Sequence, residues 1–408
     1  MSTVFFSDLA KAVASILVVM LLFELGLRLT GTKYESSFYE SDPVLYMTWR
    51  PKAQGWEAKE GENFIRINSL GMRDRERSVT PAAGATRIAL LGDSVVAAGE
   101  VPLEKTAAQV LEAKLQTALG PNHPIEVLNF GVGGYTLSQE LLLLQTRVWA
   151  FRPDIVILVL SPSSVPSCDR RLYPASVPFF TLQDGQLMPD PKNRPPAGSS
   201  SDARRWHAFL GDLMNHVRLL QMIRKATQDG IPEEIAKIEG RKRQRNKHIL
   251  EMWIRPPSSP AEENAWQVAE GMLASMVQQA QRHRAEFWLS AVGPEIEENP
   301  DIAKRDTFLK NQHVSEFNYA ETRLQSIAAT HGINFISLEP RLLEYAEKNQ
   351  LSLRGFFNTR ENYGHWNESG NAAAAAILAE CLMLNSPELK SEGHWTSSLT
   401  GGGPLTSH

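Results

Sequence analysis

Apolar positions in this chain fall into three kinds of run, and each predicts a different element. Short, nearly unbroken apolar stretches occupy 87–91, 125–130, 154–160, 286–291 and 334–338. Runs this short, without polar alternation, predict strands buried on both faces of a parallel sheet. Between them the apolar residues recur at helical spacing. Ala107, Val110, Leu111, Leu115, Ala118 and Leu119 share one face of a helix predicted over 106–119, and Gly120 stops it. Further helices are predicted over 137–149, 263–284, 315–330 and 369–383. Strand and helix alternate, so the expected fold is α/β: a doubly wound, mainly parallel five-stranded sheet covered by helices, a three-layer sandwich.

The third kind of run is N-terminal. Residues 12–23 are apolar except Ser15, and Leu25, Leu27 and Leu29 extend the run past Glu24. The strictly apolar part is short against a span of ~20 residues. Glu24 and Arg28 are four apart and can pair on one helix face near an interface. No small-residue cleavage site follows. Residues 1–31 therefore read as an uncleaved membrane anchor, with a buried amphipathic helix as the alternative. Lys11 and the terminal amine precede the run while Arg28 and Lys33 follow it, so charge leaves the orientation open.

Turn formers divide the rest. Residues 32–85, punctuated by Gly61, Asn68 and Gly71, read as a connector packing on the domain at 86–384. The alternation pauses at Ser161. Residues 162–262 carry many prolines and a basic run (Lys237, Arg241, Lys242, Arg243, Arg245, Lys247), and read as an insertion with its own helices. The basic run reads as a solvated helix face. The Ser-, Gly- and Thr-rich tail, 385–408, reads as disordered. A formal charge of −4 argues against a nucleic-acid partner. Cys168 and Cys381 make neither a disulfide framework nor a metal spacing, although an exported domain would permit a bridge between them. No metal and no cofactor is inferred, and the oligomeric state is not legible.

Chemistry collects at the strand ends. The first strand ends in Gly92-Asp93-Ser94, the second in Asn129-Phe130-Gly131-Val132-Gly133-Gly134, and the third in Ser161-Pro162-Ser163-Ser164. Gly364-His365-Trp366-Asn367 precedes the last helix. In an open parallel sheet these carboxyl-end loops converge on one edge. A serine hydroxyl is a poor nucleophile until a base takes its proton, so Ser94 and His365 matter as a pair. Each has a plainer reading alone: Ser94 as a helix cap, His365 as a surface histidine, Asp93 as a turn residue and Trp366 as packing. The glycines after the second strand lack the spacing and placement of a dinucleotide fingerprint.

On these residues the chain resembles the SGNH hydrolases, the GDSL esterase superfamily, whose sandwich is flavodoxin-like. The blocks are Gly92-Asp93-Ser94, Asn129-x-Gly131 and His365. More narrowly it resembles the membrane-anchored SGNH-like proteins of bacterial envelopes, through the N-terminal apolar run, Asn68-Ser69-Leu70-Gly71-Met72-Arg73 and Gly364-His365-Trp366-Asn367-Glu368-Ser369-Gly370. The resemblance implies Ser94 as nucleophile, His365 as base, and the backbone amides of Ser94 and Gly131 as oxyanion donors. The chain departs from the family at two places. Ser163 or Ser164 stands where the family supplies an oxyanion Asn, and Asn362 and Tyr363 stand where it supplies an Asp. Glu361 or a carbonyl oxygen is the substitute within reach of the sequence. The resemblance implies a serine hydrolase or acyltransferase acting on an acylated small molecule or carbohydrate, with O-acetyl groups of envelope carbohydrate as one candidate. The domain would lie on the extracytoplasmic side of the membrane. The alternative is a catalytically weak SGNH-like binding protein in polysaccharide export or modification.

Overall fold

The computed structural model describes residues 2–196, 201–228, 246 and 248–390. The central sheet is built from β5 (Thr86–Gly92), β6 (Ile125–Asn129), β7 (Ile155–Leu160), β10 (Glu286–Ala291) and β11 (Asn334–Ile336), in the order β11-β10-β7-β5-β6 and parallel throughout. Every residue of β5 and β7 is buried, as their unbroken apolar runs require. Alternation along each strand divides the core. Ile88, Leu90, Ile155 and Ile157 face one layer, and Ala89, Leu91, Val156 and Leu158 face the other. The first layer is α3 (Ala107–Leu119), α10 (Glu339–Asn349) and α11 (Glu368–Asn385). The second is α4 (Leu137–Thr146), α7 (Pro260–His283) and α9 (Tyr319–His331). From β5 the chain moves to β6 on one side, then returns to β7 on the other. The loops after β5 and β7 diverge there, which opens a crevice at their carboxyl ends.

The connector is more than a strap. It folds into two antiparallel hairpins, β1 (Tyr39–Asp42) with β2 (Tyr46–Trp49) and β3 (Gln54–Glu57) with β4 (Asn63–Arg66). Phe38, Trp49 and Ile65 join the second core layer. Polar residues concealed these strands because each is only four residues long and three of the four strands are largely unburied. The insertion adds a hairpin, β8 (Phe180–Gln183) with β9 (Gln186–Pro189), and the helices α5 (Ser201–His216) and α6 (Arg218–Gln228). The basic run at 237–247 lies outside the described residues. Part of the tail is ordered: Pro387–Lys390 forms a short helix, α12, with Leu389 buried in the first layer. Further helices include α2 (Ser94–Ala97) and α8 (Ile302–Gln312).

Helix α1 (Ser2–Leu29) contains a stretch, Phe6–Leu29, long and apolar enough to cross a membrane, and none of its apolar window is buried in the protein. The expected Glu24–Arg28 pair forms, at 2.7 Å. Both cysteines are free. Cys168 is buried in the second layer and donates to the Ser164 carbonyl, while Cys381 packs on the opposite layer beside Arg341. The sheet stands between them, so the bridge that an exported domain would permit does not form.

Candidate active site

Ser94 leaves β5 at the crevice and opens α2. Asp93 caps that helix by accepting from the Val95 amide at 3.0 Å, so its carboxylate fixes the turn. The Asn68–Arg73 element supports α2 from below. The Asn68 carboxamide oxygen accepts from the Leu70 and Met72 amides, and the buried Arg73 guanidinium donates to the carbonyls of Ala97 and Val101.

His365 reaches the same edge from the loop before α11. Its Nε2 lies 2.8 Å from Ser94 Oγ. The loop is held by Arg354, whose guanidinium donates to the Gly364 carbonyl at 2.9 Å and pairs with Glu298 at 2.7 Å. Trp366 donates its indole N–H to the same Glu298 carboxylate and is buried, as the packing reading expects.

The carboxylate at the far ring nitrogen comes from elsewhere. Glu361 is exposed, and Asn362 accepts from the Ser352 hydroxyl at 2.7 Å. Neither meets the imidazole. Glu60, in the turn between β3 and β4, places Oε2 3.0 Å from His365 Nδ1 and 2.8 Å from the His365 amide. Glu100 adds a second carboxylate, 3.3 Å from Nδ1. Gly364 has φ +83°, and a Cβ there would meet the Glu60 carboxylate at 2.2 Å, so glycine is required at 364 on both counts. Asn358 clasps the hairpin turn: its carboxamide accepts from the Gly61 amide and donates to the Gly61 and Ala58 carbonyls. Nothing local in the sequence marks Glu60, because it lies 305 residues from its partner.

The oxyanion side also differs from the expectation. The Gly131 amide donates to Asn129 Oδ1 at 2.9 Å, and a Cβ at 131 would strike the Ala97 amide nitrogen. Gly131 is a packing glycine whose N–H is engaged. Ser163 shares a hydrogen bond with Ser161, and Ser164 accepts from the Ser161 amide inside its own turn. The open stretch beside Ser94 is Gly133-Gly134. A Cβ on Gly133 would lie 3.9 Å from Ser94 Cβ and 2.5 Å from the Tyr39 hydroxyl. Gly134 is exposed at φ +79° with open space around it. Tyr39, from β1, stacks on Trp49 at 4.5 Å, which fixes its ring against this loop. Burial, then the charges of Glu57, Glu100 and Glu35, push the Tyr39 phenol up, so it remains a proton donor.

The electrostatics follow from crowding carboxylates around one imidazole. Burial alone would lower His365; the Glu100 charge and the Glu60 hydrogen bond outweigh it and lift the ring to about 9. Burial likewise raises Glu60, but its bonds from His365 outweigh that and hold it below the ordinary carboxylate value. For Glu100 burial wins, and the group is raised. Its Oε2 is buried without a hydrogen-bond partner among the described residues, which makes its charge costly. Burial, then Glu35, pushes Glu57 up to about 8.

Raised folded-state values make stability depend on pH. Glu57 and His365 contribute stability that is complete below their unfolded values, 4.5 and 6.5, and is lost as pH rises through about 8 and about 9. These two groups are therefore expected to lower the melting temperature across about pH 4.5 to 9, Glu57 from 4.5 to about 8 and His365 from 6.5 to about 9. In Glu57→Gln, whose amide keeps a donor toward Glu35 at every pH, that fall is expected to be smaller. Equal slopes in thermal melts of the two proteins would count against the Glu57 contribution.

Sheet order and crevice define a doubly wound α/β sandwich, the architecture that the resemblance to the SGNH hydrolases implies, and the serine–histidine contact lies at its carboxyl edge. No protein-family model matches the chain, and no curated protein does. Among solved structures it is similar to TesA (11% identity, 73% of this chain and 98% of that one, TM-score 0.35). It is similar also to a catalytic mutant of Axe2, an acetylxylan esterase from Geobacillus stearothermophilus (14%, 73% and 93%, TM-score 0.36), and to the acetyl xylan esterase AlAXEase (16%, 72% and 99%, TM-score 0.37).

Proposed function

We propose that the protein is a serine ester hydrolase or acyltransferase, held to a membrane by α1, with Ser94 as nucleophile, His365 as base and Glu60 as the orienting acid. The observation that carries this reading is the continuous chain from Glu60 Oε2 through the His365 ring to Ser94 Oγ, at 3.0 and 2.8 Å. His365 Nε2 takes the hydroxyl proton as Ser94 Oγ attacks the ester carbonyl. The resulting imidazolium, stabilised by Glu60, returns that proton to the departing alkoxide. The acyl-serine is then attacked by water, for hydrolysis, or by an acceptor hydroxyl, for transfer, with His365 again taking the proton. The Ser94 amide, the Gly133-Gly134 turn and the Tyr39 hydroxyl border the place where oxyanion charge develops. One such donor contributes roughly 3 kcal/mol in serine hydrolases.

Glu60 and Glu100 stand behind the imidazole at Nδ1, and this negative surrounding suits a neutral acyl ester better than an anionic one. The O-acetyl group of an envelope carbohydrate is such an ester, and the domain would face the extracytoplasmic side. The missing Asp and the missing oxyanion Asn are the two sequence features that favour a binding-only protein, and Glu60 offers a carboxylate in place of the first. The direct test is labelling of the purified full chain with a fluorophosphonate, which reacts only with an activated serine. Labelling at Ser94 is expected; an unlabelled protein that binds acylated carbohydrate would establish the binding-only alternative.

A base held near 9 is protonated at neutral pH and cannot accept the serine proton. The ratio kcat/KM is therefore expected to climb with pH toward about 9. Glu100→Gln removes one of the two carboxylates behind that shift. Its rising limb is expected to move down by on the order of one pH unit, with higher activity at neutral pH. A pH–rate profile that does not move would mean Glu100 carries no charge in the working site.

A further inference from the structure

The insertion carries an apolar face that the catalytic site does not use. On α5, Trp206, Phe209, Leu210 and Leu213 fall at helical spacing and are 67%, 58%, 48% and 41% exposed. Trp206 and Phe209 meet edge to face, with ring centroids 6.1 Å apart. The opposite side of α5 is fastened to the connector. Gly211 packs on the Arg50 guanidinium, Asp212 pairs with Arg50 at 3.1 Å, and Asn215 bonds both backbone groups of Ser37. The helix is thus clamped with its apolar stripe outward, and a contiguous exposed apolar face marks an interaction surface.

What covers that stripe follows from where α1 meets the insertion. The unbroken apolar run of α1 ends at Phe23. The next residue, Glu24, accepts from the amides of Arg218 and Leu219 at 3.0 and 2.9 Å, and so caps the first turn of α6. Arg28, one turn on, donates to the His216 carbonyl at the end of α5. The ion pair that closes the apolar run therefore grips the α5–α6 junction from both sides. Charged groups sit at the boundary of the hydrocarbon and not within it, which puts this junction at that boundary. Leu213 is only three residues before His216, so the stripe begins about 4.5 Å along the helix from the junction. A tryptophan-bearing apolar face at this level is the pattern of a helix lying in the headgroup layer.

We propose that α5 is an interfacial helix lying on the bilayer that α1 crosses, its Trp206–Phe209–Leu210–Leu213 face against phospholipid, so that the membrane surface itself seats the catalytic domain. The proposal rests on α1 crossing a membrane. It also gives α1 a reason to be retained after export, since removing it would strip Arg218 and Leu219 of their cap.

Spin labelling separates the two ideas. In a background of Cys168→Ala and Cys381→Ala, nitroxides are attached singly at Val18→Cys, Leu210→Cys and Leu213→Cys of the full chain in phosphatidylcholine–phosphatidylglycerol vesicles. Relaxation by oxygen, which partitions into lipid, is compared with relaxation by a water-soluble nickel chelate. The expected result is a strong oxygen preference at 18 and a weaker but definite one at 210 and 213. Nickel-dominated relaxation at 210 and 213, with 18 still in lipid, overturns the interfacial helix and leaves the anchor standing. Shielding of 210 and 213 from both agents would mean that protein covers the stripe, and overturns the proposal equally. Nickel access at 18 removes the anchor reading and this inference with it.

Discussion

Replacing Ser94 by alanine is expected to abolish turnover of a short acyl ester and to leave the thermal melt nearly unchanged. Among the described residues Ser94 Oγ has one side-chain partner, His365 Nε2, and the backbone of the turn is set by Asp93 and the Arg73 support, not by the hydroxyl. Losing that single, partly exposed hydrogen bond costs about 1 kcal/mol of stability. Losing the nucleophile removes the acyl-enzyme route entirely, and removal of a triad serine costs roughly 10⁶ in kcat where it has been measured. His365→Ala is expected to fall about as far, because nucleophile and base act as one unit. Steady-state hydrolysis with matched melts checks both; a variant lacking the hydroxyl that keeps a clean rate would assign the activity to another group.

The second large effect is expected at Glu60. Glu60→Ala takes away the acceptor for both the His365 ring and the His365 amide. The imidazole then loses its orientation and part of its charge stabilisation. A triad without its acid loses up to ~10⁴ in turnover; Glu100, 3.3 Å from the same nitrogen, is expected to soften the loss to about 10²–10³. Glu60→Gln keeps an acceptor oxygen but no charge, and is expected to lie between. Glu361→Gln is expected to do nothing, because that carboxylate is exposed and away from the ring. Asn362→Asp is expected to add nothing either, since position 362 is tied to Ser352. A steep loss at Glu361 together with a silent Glu60 would overturn this assignment.

The contrast between Glu60 and Glu361 shows where reading the chain succeeds and where it stops. The strands of the sheet were legible because burial on both faces leaves an unbroken apolar run, as at β7. The helix α3 was legible because its apolar residues keep helical spacing, with Thr106 at its cap and Gly120 at its stop. The hairpins of the connector were not, since strands of four residues carry too short a pattern to stand out. Helix α10 was hidden for a related reason: it is mostly polar and buries few residues, among them Leu342 and Ala346.

The sequence by itself determined the five sheet strands and the helices of the α/β alternation, the parallel sheet, and the two residues, Ser94 and His365, whose strand-end and helix-start positions bring them to one edge. Those are consequences of local periodicity and of a sheet whose loops must exit at its carboxyl end. Only the tertiary structure decided which carboxylate faces the imidazole, which glycine is open beside Ser94, and that α1 is bolted to the α5–α6 junction. Each of these is a contact between segments far apart along the chain, and no local pattern encodes such a pair. Glu60 reaches His365 because the connector hairpins bury Phe38, Trp49 and Ile65 against the core, and that packing carries their turn to the edge where the serine emerges.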